Sequence, residues 1–127
     1  MLKKYQEAAL RTESTCFGAM NERLRSVRTL RLLHAAMGLA DEAGEFVKPL
    51  KAHIFYGQEL DLTSLEEELG DVCWFLALSL DALGLSWEEC LAKNLAKLNA
   101  RYGEAFSLEA AVRRDLRAER AAMEEDK

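Results

Sequence analysis

The chain has 127 residues, half of them apolar, and a net charge of −5. That length and apolar content suit one domain with a buried core and exclude a disordered segment. The acidic balance argues against nucleic-acid binding, and the longest apolar run, Val72 to Leu80, is far short of a membrane span.

One proline and seven glycines leave few breaks. Ala, Leu, Glu, Arg and Lys dominate, all strong helix formers, and no alternating strand pattern is present. The expected fold is all-α, an antiparallel bundle of about four to five helices forming a single domain. Its motif-bearing core covers about 21–103, with a C-terminal helix at 107–123. Charge is uneven: residues 1–40 carry seven Lys/Arg against three Asp/Glu, a balance of +4, and residues 41–127 carry ten against nineteen, a balance of −9. Cys16, Cys73 and Cys90 are odd in number and form no C-x-x-C. They read as reduced, mostly buried thiols in a cytoplasmic protein, and the N-terminus lacks a signal-peptide core.

In chain order, Tyr5 to Arg11 reads as a short helix and Thr12 to Met20 as an irregular connection of small residues. A long helix is expected from Asn21 as N-cap, with Leu24, Val27, Leu30 and Leu33 at helical spacing. Pro49 should kink or end it, because proline lacks the backbone donor and crowds the preceding turn. Residues 53–62 form a loop centred on Gly57. Ser64-Leu-Glu-Glu67 has the form of a capping box and starts the next helix, which runs to Ala82 with Gly84 as its stop. Ser86-Trp-Glu-Glu89 is a second capping box. It opens a helix ending near Arg101, before Gly103. Leu108 to Met123 reads as one charged final helix whose last residues fray.

Two phrases stand out: Glu42-Ala-Gly-Glu45 and Glu68-Leu-Gly-Asp71. Carboxylates at i and i+3 project from one side of a helix. The phrases are equally distant from the expected turn near Gly57, each roughly 20 Å away at about 1.5 Å per residue. In an antiparallel hairpin they fall at one height. Leu32 to Ala40 and Val72 to Leu80, which adjoin them, are apolar nearly all round, so the acids sit at the edge of a core. Four converging carboxylates suit hard divalent cations, which remove their mutual repulsion. Gly44 and Gly70, each costing about 1 kcal/mol relative to alanine inside a helix, suggest close backbone approach at that level. One E-x-x-E alone carries little weight; the doubled phrase, its symmetric placement and its apolar flanks carry the metal-site expectation.

By helical geometry, His34, Gly38, Asp41, Glu45 and Lys48 lie close to one stripe. Gly38 leaves space where a base could enter. His34 either borders that pocket or is a hydrogen-bonded core histidine. Lys48 is placed to reach a phosphate, whereas Lys51 reads as solvated. Arg25, Arg28 and Arg31 form a surface stripe, and Trp74 and Trp87 read as core or interface residues.

The pattern E-x-x-E, a gap of twenty-two residues, then E-x-x-D resembles the MazG-like all-α nucleoside triphosphate pyrophosphatases, which include dimeric dUTPases, dCTP pyrophosphatases and phosphoribosyl-ATP pyrophosphatase. The resemblance covers roughly residues 30–103. It includes Glu66-Glu-Glu-Leu-Gly-Asp-Val72 and the closing Asn94, Lys97 and Arg101-Tyr102. It implies cleavage of a nucleoside triphosphate to the monophosphate and pyrophosphate by a metal-activated water. Glu42, Glu45, Glu68 and Asp71 would bind Mg²⁺ or Mn²⁺, and Glu45 would also serve as general base. Asn94, Lys97, Arg101 and Tyr102 would contact phosphates or metal-bound water; a plain solvated helix face is the other reading of the first three.

A di-iron bundle is disfavoured, since neither His34 nor His53 stands three residues after a glutamate. A non-enzymatic helical interaction module remains the alternative, and so does phosphoribosyl-ATP pyrophosphatase within the superfamily. One antiparallel pair cannot cover two helices that are apolar all round. A homodimer or dimer of dimers is therefore expected, with nucleotide pockets near the subunit boundary and neither nucleic acid nor membrane as partner.

Overall fold

The computed structural model describes residues 2–124. Among them are seven helices and no strand: α1 (Leu2–Leu10), α2 (Phe17–Leu24), α3 (Val27–Tyr56), α4 (Leu62–Leu83), α5 (Trp87–Tyr102), α6 (Leu108–Val112) and α7 (Leu116–Glu124). The all-α expectation holds, with more helices than expected. No single described helix is long and apolar enough to cross a membrane. The chain divides into two compact units, Met1–Phe75 and Leu76–Lys127.

In the first unit, the expected irregular connection contains α2, and Asn21 lies inside it rather than capping the long helix. The cap of α3 is Ser26, whose hydroxyl accepts from the Thr29 amide at 3.3 Å. A serine in extended conformation satisfies one of the first-turn amides that have no partner in the helix. Pro49 neither ends nor interrupts α3, which continues seven residues beyond it to Tyr56. Proline removes one backbone donor, and the remaining bonds of a 30-residue helix outlast that loss.

Gly57 closes α3 in the left-handed region at φ 66°, with its amide and that of Gln58 both returning to the Ala52 carbonyl. An L side chain there would be strained, so glycine fits this stop. His53 Nδ1 ties the turn by bonding the Gln58 carbonyl at 2.8 Å. The start of α4 is not the capping box expected at Ser64. Asp61 does that work: its carboxylate accepts from the Ser64 amide at 3.0 Å and from the Ser64 hydroxyl at 2.9 Å. A carboxylate at a helix N-terminus also complements the helix dipole, and these bonds hold Asp61 below the usual carboxylate range.

In the second unit, α4 ends before Gly84 and α5 opens with the expected box. The Glu89 amide donates to the Ser86 hydroxyl at 3.1 Å, and the Ser86 amide donates to the Glu89 carboxylate at 2.8 Å. The expected single final helix is two, α6 and α7. Asp115 breaks it: its Oδ1 accepts from the amides of Arg117 and Ala118, both at 3.0 Å, and so starts a new helix. A short side-chain acceptor competes with continuation of the helix. The main packing here is α7 on α5. The expected fraying of the last residues falls on 125–127, outside the described residues.

Candidate metal centre and active site

The first unit places α3 and α4 antiparallel, so the two acidic phrases meet. Oxygens of Glu42, Glu68 and Asp71 lie within 4.8 Å of one another. Glu42 and Glu68 are partly buried and Asp71 is exposed. Desolvation pushes Glu68 above the ordinary carboxylate value, reinforced by a hydrogen bond with Glu42 and by the charges of Glu42 and Glu45. Gathered like charges favour protonation unless a cation joins them. Three hard oxygen donors from two helices are a donor set that suits Mg²⁺ or Mn²⁺.

Glu45, expected as the fourth ligand, stands outside this trio. Its carboxylate is paired with Lys48, one turn along α3. That bond is the first cause of a raised Lys48 ammonium. Both residues, with Glu68, Asp61, Gln58 and Pro49, line a cavity of about 290 Å³ at the turn end of the hairpin. Asp41, exposed, lines a second cavity of about 630 Å³ with His34, Met37, Gly38 and Phe75.

The second cavity alters what Gly38 is for. A Cβ on Gly38 would lie 2.2 Å from Phe75 ring carbons, so the space left by the missing side chain is filled by that ring and is not open to a base. Phe75 is braced edge-on by His34, with ring centroids 5.6 Å apart, and by Trp74 at 4.8 Å. His34 is thus exposed against two aromatic rings on the cavity wall. Gly44 and Gly70 differ from expectation: a Cβ at either would meet nothing within 4 Å, so no close approach within the described residues requires them.

The remaining expected contacts belong to the second unit. Asn94 is exposed on α5. Lys97 lines a cavity of about 420 Å³ with Leu85, Lys93, Leu116 and Glu119. Arg101 is taken by Glu119, its Nε at 2.9 Å and Nη2 at 2.6 Å from the two carboxylate oxygens. Tyr102 lies beside the Arg101 guanidinium at 5.5 Å and packs on Phe106 at 5.5 Å.

Sequence reasoning missed Phe75 and the Glu119 centre. The first was hidden because an aromatic residue in an apolar run reads as ordinary core. The second joins Arg101, at the end of one expected helix, to Arg114 and Glu119 of the next, 13 and 18 positions on, where no spacing rule links them.

A protein-family model described as the MazG nucleotide pyrophosphohydrolase domain matches residues 32–106. The match spans both acidic phrases, and the chain belongs to this family. No curated protein and no solved structure matches it.

Proposed function

We propose that the protein is a metal-dependent nucleoside triphosphate pyrophosphohydrolase that releases the nucleoside monophosphate and pyrophosphate. The observation that carries this reading is the convergence of Glu42, Glu68 and Asp71, from two helices of a MazG-family chain, within 4.8 Å. These three would hold Mg²⁺ or Mn²⁺. Such an ion would supply charge neutralisation on the triphosphate and an acidified water for in-line attack at the α-phosphorus.

The chain's own residues supply the rest. Glu45 borders the trio without belonging to it, which suits a general base that takes the proton of the attacking water. The new bond joins that water oxygen to the α-phosphorus, and the bridging bond to the β-phosphate breaks, so pyrophosphate carries away the electron pair. Lys48 can exchange its bond to Glu45 for a phosphate oxygen, which leaves Glu45 free to act. The His34, Met37 and Phe75 cavity offers an apolar wall of the kind a nucleobase stacks against.

Assembly belongs to the same proposal. In the first unit, Met37 is 65% exposed and Trp74 56%, and only Ala35 and Gly38 are buried among its described residues. A helix pair with so little buried of its own is best covered by a second copy, giving a homodimer or dimer of dimers. The three cysteines are free thiols, which agrees with a cytoplasmic setting, although Cys16 and Cys73 are exposed where buried thiols were expected. Incubation with Mg²⁺ and a panel of nucleoside triphosphates tests the activity. Equal amounts of monophosphate and pyrophosphate support it, and absence of turnover across canonical, deoxy and modified nucleotides overturns it.

A further inference from the structure

Helix α1 lies wholly exposed, beyond the family match: none of Leu2–Leu10 is buried, and Leu2 and Tyr5 are 84% and 73% exposed. A helix this short is marginal by itself, since isolated helices in water need about 12–15 residues or a packed face. It is also two-sided. At about 100° per residue, Leu2, Tyr5, Gln6 and Ala9 share one face. Lys3, Lys4 and Glu7 share the other, with Arg11 just past the helix end on the same side. That side carries three cations against one carboxylate, a balance of +2.

The same unit exposes a matching stripe on α4. Leu62, Leu69 and Cys73 fall on one line of that helix, and all three are exposed. The line lies on the side of α4 opposite Asp71 and Phe75, which serve the site. From Leu62 to Cys73 the helix rises about 16 Å, and the nine residues of α1 span about 13 Å, so one stripe covers the other. The charges also match. Helix α4 carries Glu66, Glu67, Glu68, Asp71 and Asp81 and no Lys, Arg or His, and exposed Glu66 borders the stripe. Gly70, next to Leu69, adds a third observation. A glycine inside a helix costs about 1 kcal/mol relative to alanine, and a Cβ there would meet nothing within 4 Å. A close helix from outside the chain accounts for that bare backbone.

We propose that α1 is an exchange arm, docking its Leu2, Tyr5 and Ala9 face on the Leu62, Leu69 and Cys73 stripe of a second copy of this chain. It does not lie on its own α4, because both surfaces are exposed in one chain. Reciprocal exchange about a two-fold axis uses both arms and both stripes and closes the assembly. The basic rim of α1 against the acidic rim of α4 favours this pairing over α4 on α4, where like charges meet. The inference rests on the homo-oligomer reading above and names the segment that makes the contact.

Native Cys73 gives a direct test. In a full chain with Cys16→Ser and Cys90→Ser, Leu2→Cys, Gln6→Cys or Ala9→Cys is added singly. Mild oxidation is expected to join at least one of the three to Cys73 of another chain, because a disulfide needs Cα atoms within about 7 Å. A non-reducing gel reads the covalent dimer, and peptide mass mapping reads the bond. Lys4→Cys, on the charged face, is expected to form no bond to Cys73. Light scattering is the second measurement: Tyr5→Glu should raise the dissociation constant of the assembly at least about 10-fold, and high salt should weaken wild type in the same direction. A wild-type oligomer that ignores Tyr5→Glu, or bonds to Cys73 formed only within one chain, overturns the exchange and leaves the homo-oligomer reading standing. A wild-type monomer overturns both. The exchange is likewise overturned if α1 binds vesicles of anionic lipid and Tyr5→Glu abolishes that binding while the oligomer stays intact.

Discussion

The ring of Phe75 on α4 stands where a side chain on Gly38 of α3 would be, 2.2 Å from an added Cβ. This contact sets how closely the two helices approach one turn from the carboxylates. Gly38→Ala is expected to destabilise by roughly 1–3 kcal/mol, because the ring must leave its notch. In a Phe75→Ala background the same change should be nearly neutral. Urea denaturation of the four proteins in a double-mutant cycle measures that coupling, and additive costs would show that the ring is not what Gly38 accommodates.

Glu45 and the trio should separate in experiment. Mg²⁺ is expected to raise the Tm of wild type, and the rise should disappear in Glu68→Ala and Asp71→Ala. Glu45→Gln should keep most of the rise and lose about 10²–10⁴-fold in kcat, as expected for a general base. Thermal melts with and without Mg²⁺, alongside turnover, check both. A Glu45→Gln protein that no longer responds to Mg²⁺ would make Glu45 a ligand.

The Glu119 centre predicts an acid limb in stability. Its folded value of about 2 lies below the ordinary 4.5, so its contribution is present above 4.5 and is lost as pH falls from there towards 2. Glu119→Gln should lower stability at neutral pH and flatten this part of the profile. Denaturant midpoints from pH 6 down to about 2.5 in both proteins read it. Parallel curves would show that another group carries the acid limb.

The exposed apolar side chains of α3 and α4 should be covered in solution. Light scattering behind size exclusion is expected to give a mass of two or four chains, and Met37→Glu or Trp74→Glu should shift it towards one. A wild-type monomer at micromolar concentration would contradict a shared core.

Much of this was legible before any coordinates. The helical class, the stops at Gly84 and Gly103 and the Ser86 capping box follow from local chemistry, where a few neighbouring residues decide the outcome, whereas the run of α3 past Pro49 through 53–56 to its stop at Gly57 replaces an expected loop. The hairpin pairing of the two acidic phrases follows from their equal distance from the turn. Local rules failed where two nearby residues compete for one role. Asp61 took the cap from Ser64 by accepting two bonds, Ser26 displaced Asn21, and Asp115 divided the final helix. The position of Glu45 outside the trio needed three dimensions, since Lys48 one turn away pairs with its carboxylate. The partners of Gly38 and Glu119 are long-range contacts that no periodicity encodes.

The central claim is water attack at the α-phosphorus of a nucleoside triphosphate, supported by Glu42, Glu68 and Asp71. Turnover in ¹⁸O-water with Mg²⁺ tests it most directly. Mass spectrometry should find the label in the nucleoside monophosphate and none in pyrophosphate, with turnover abolished by chelation or by Glu68→Ala. Label in the pyrophosphate, or release of orthophosphate with nucleoside diphosphate, would contradict it.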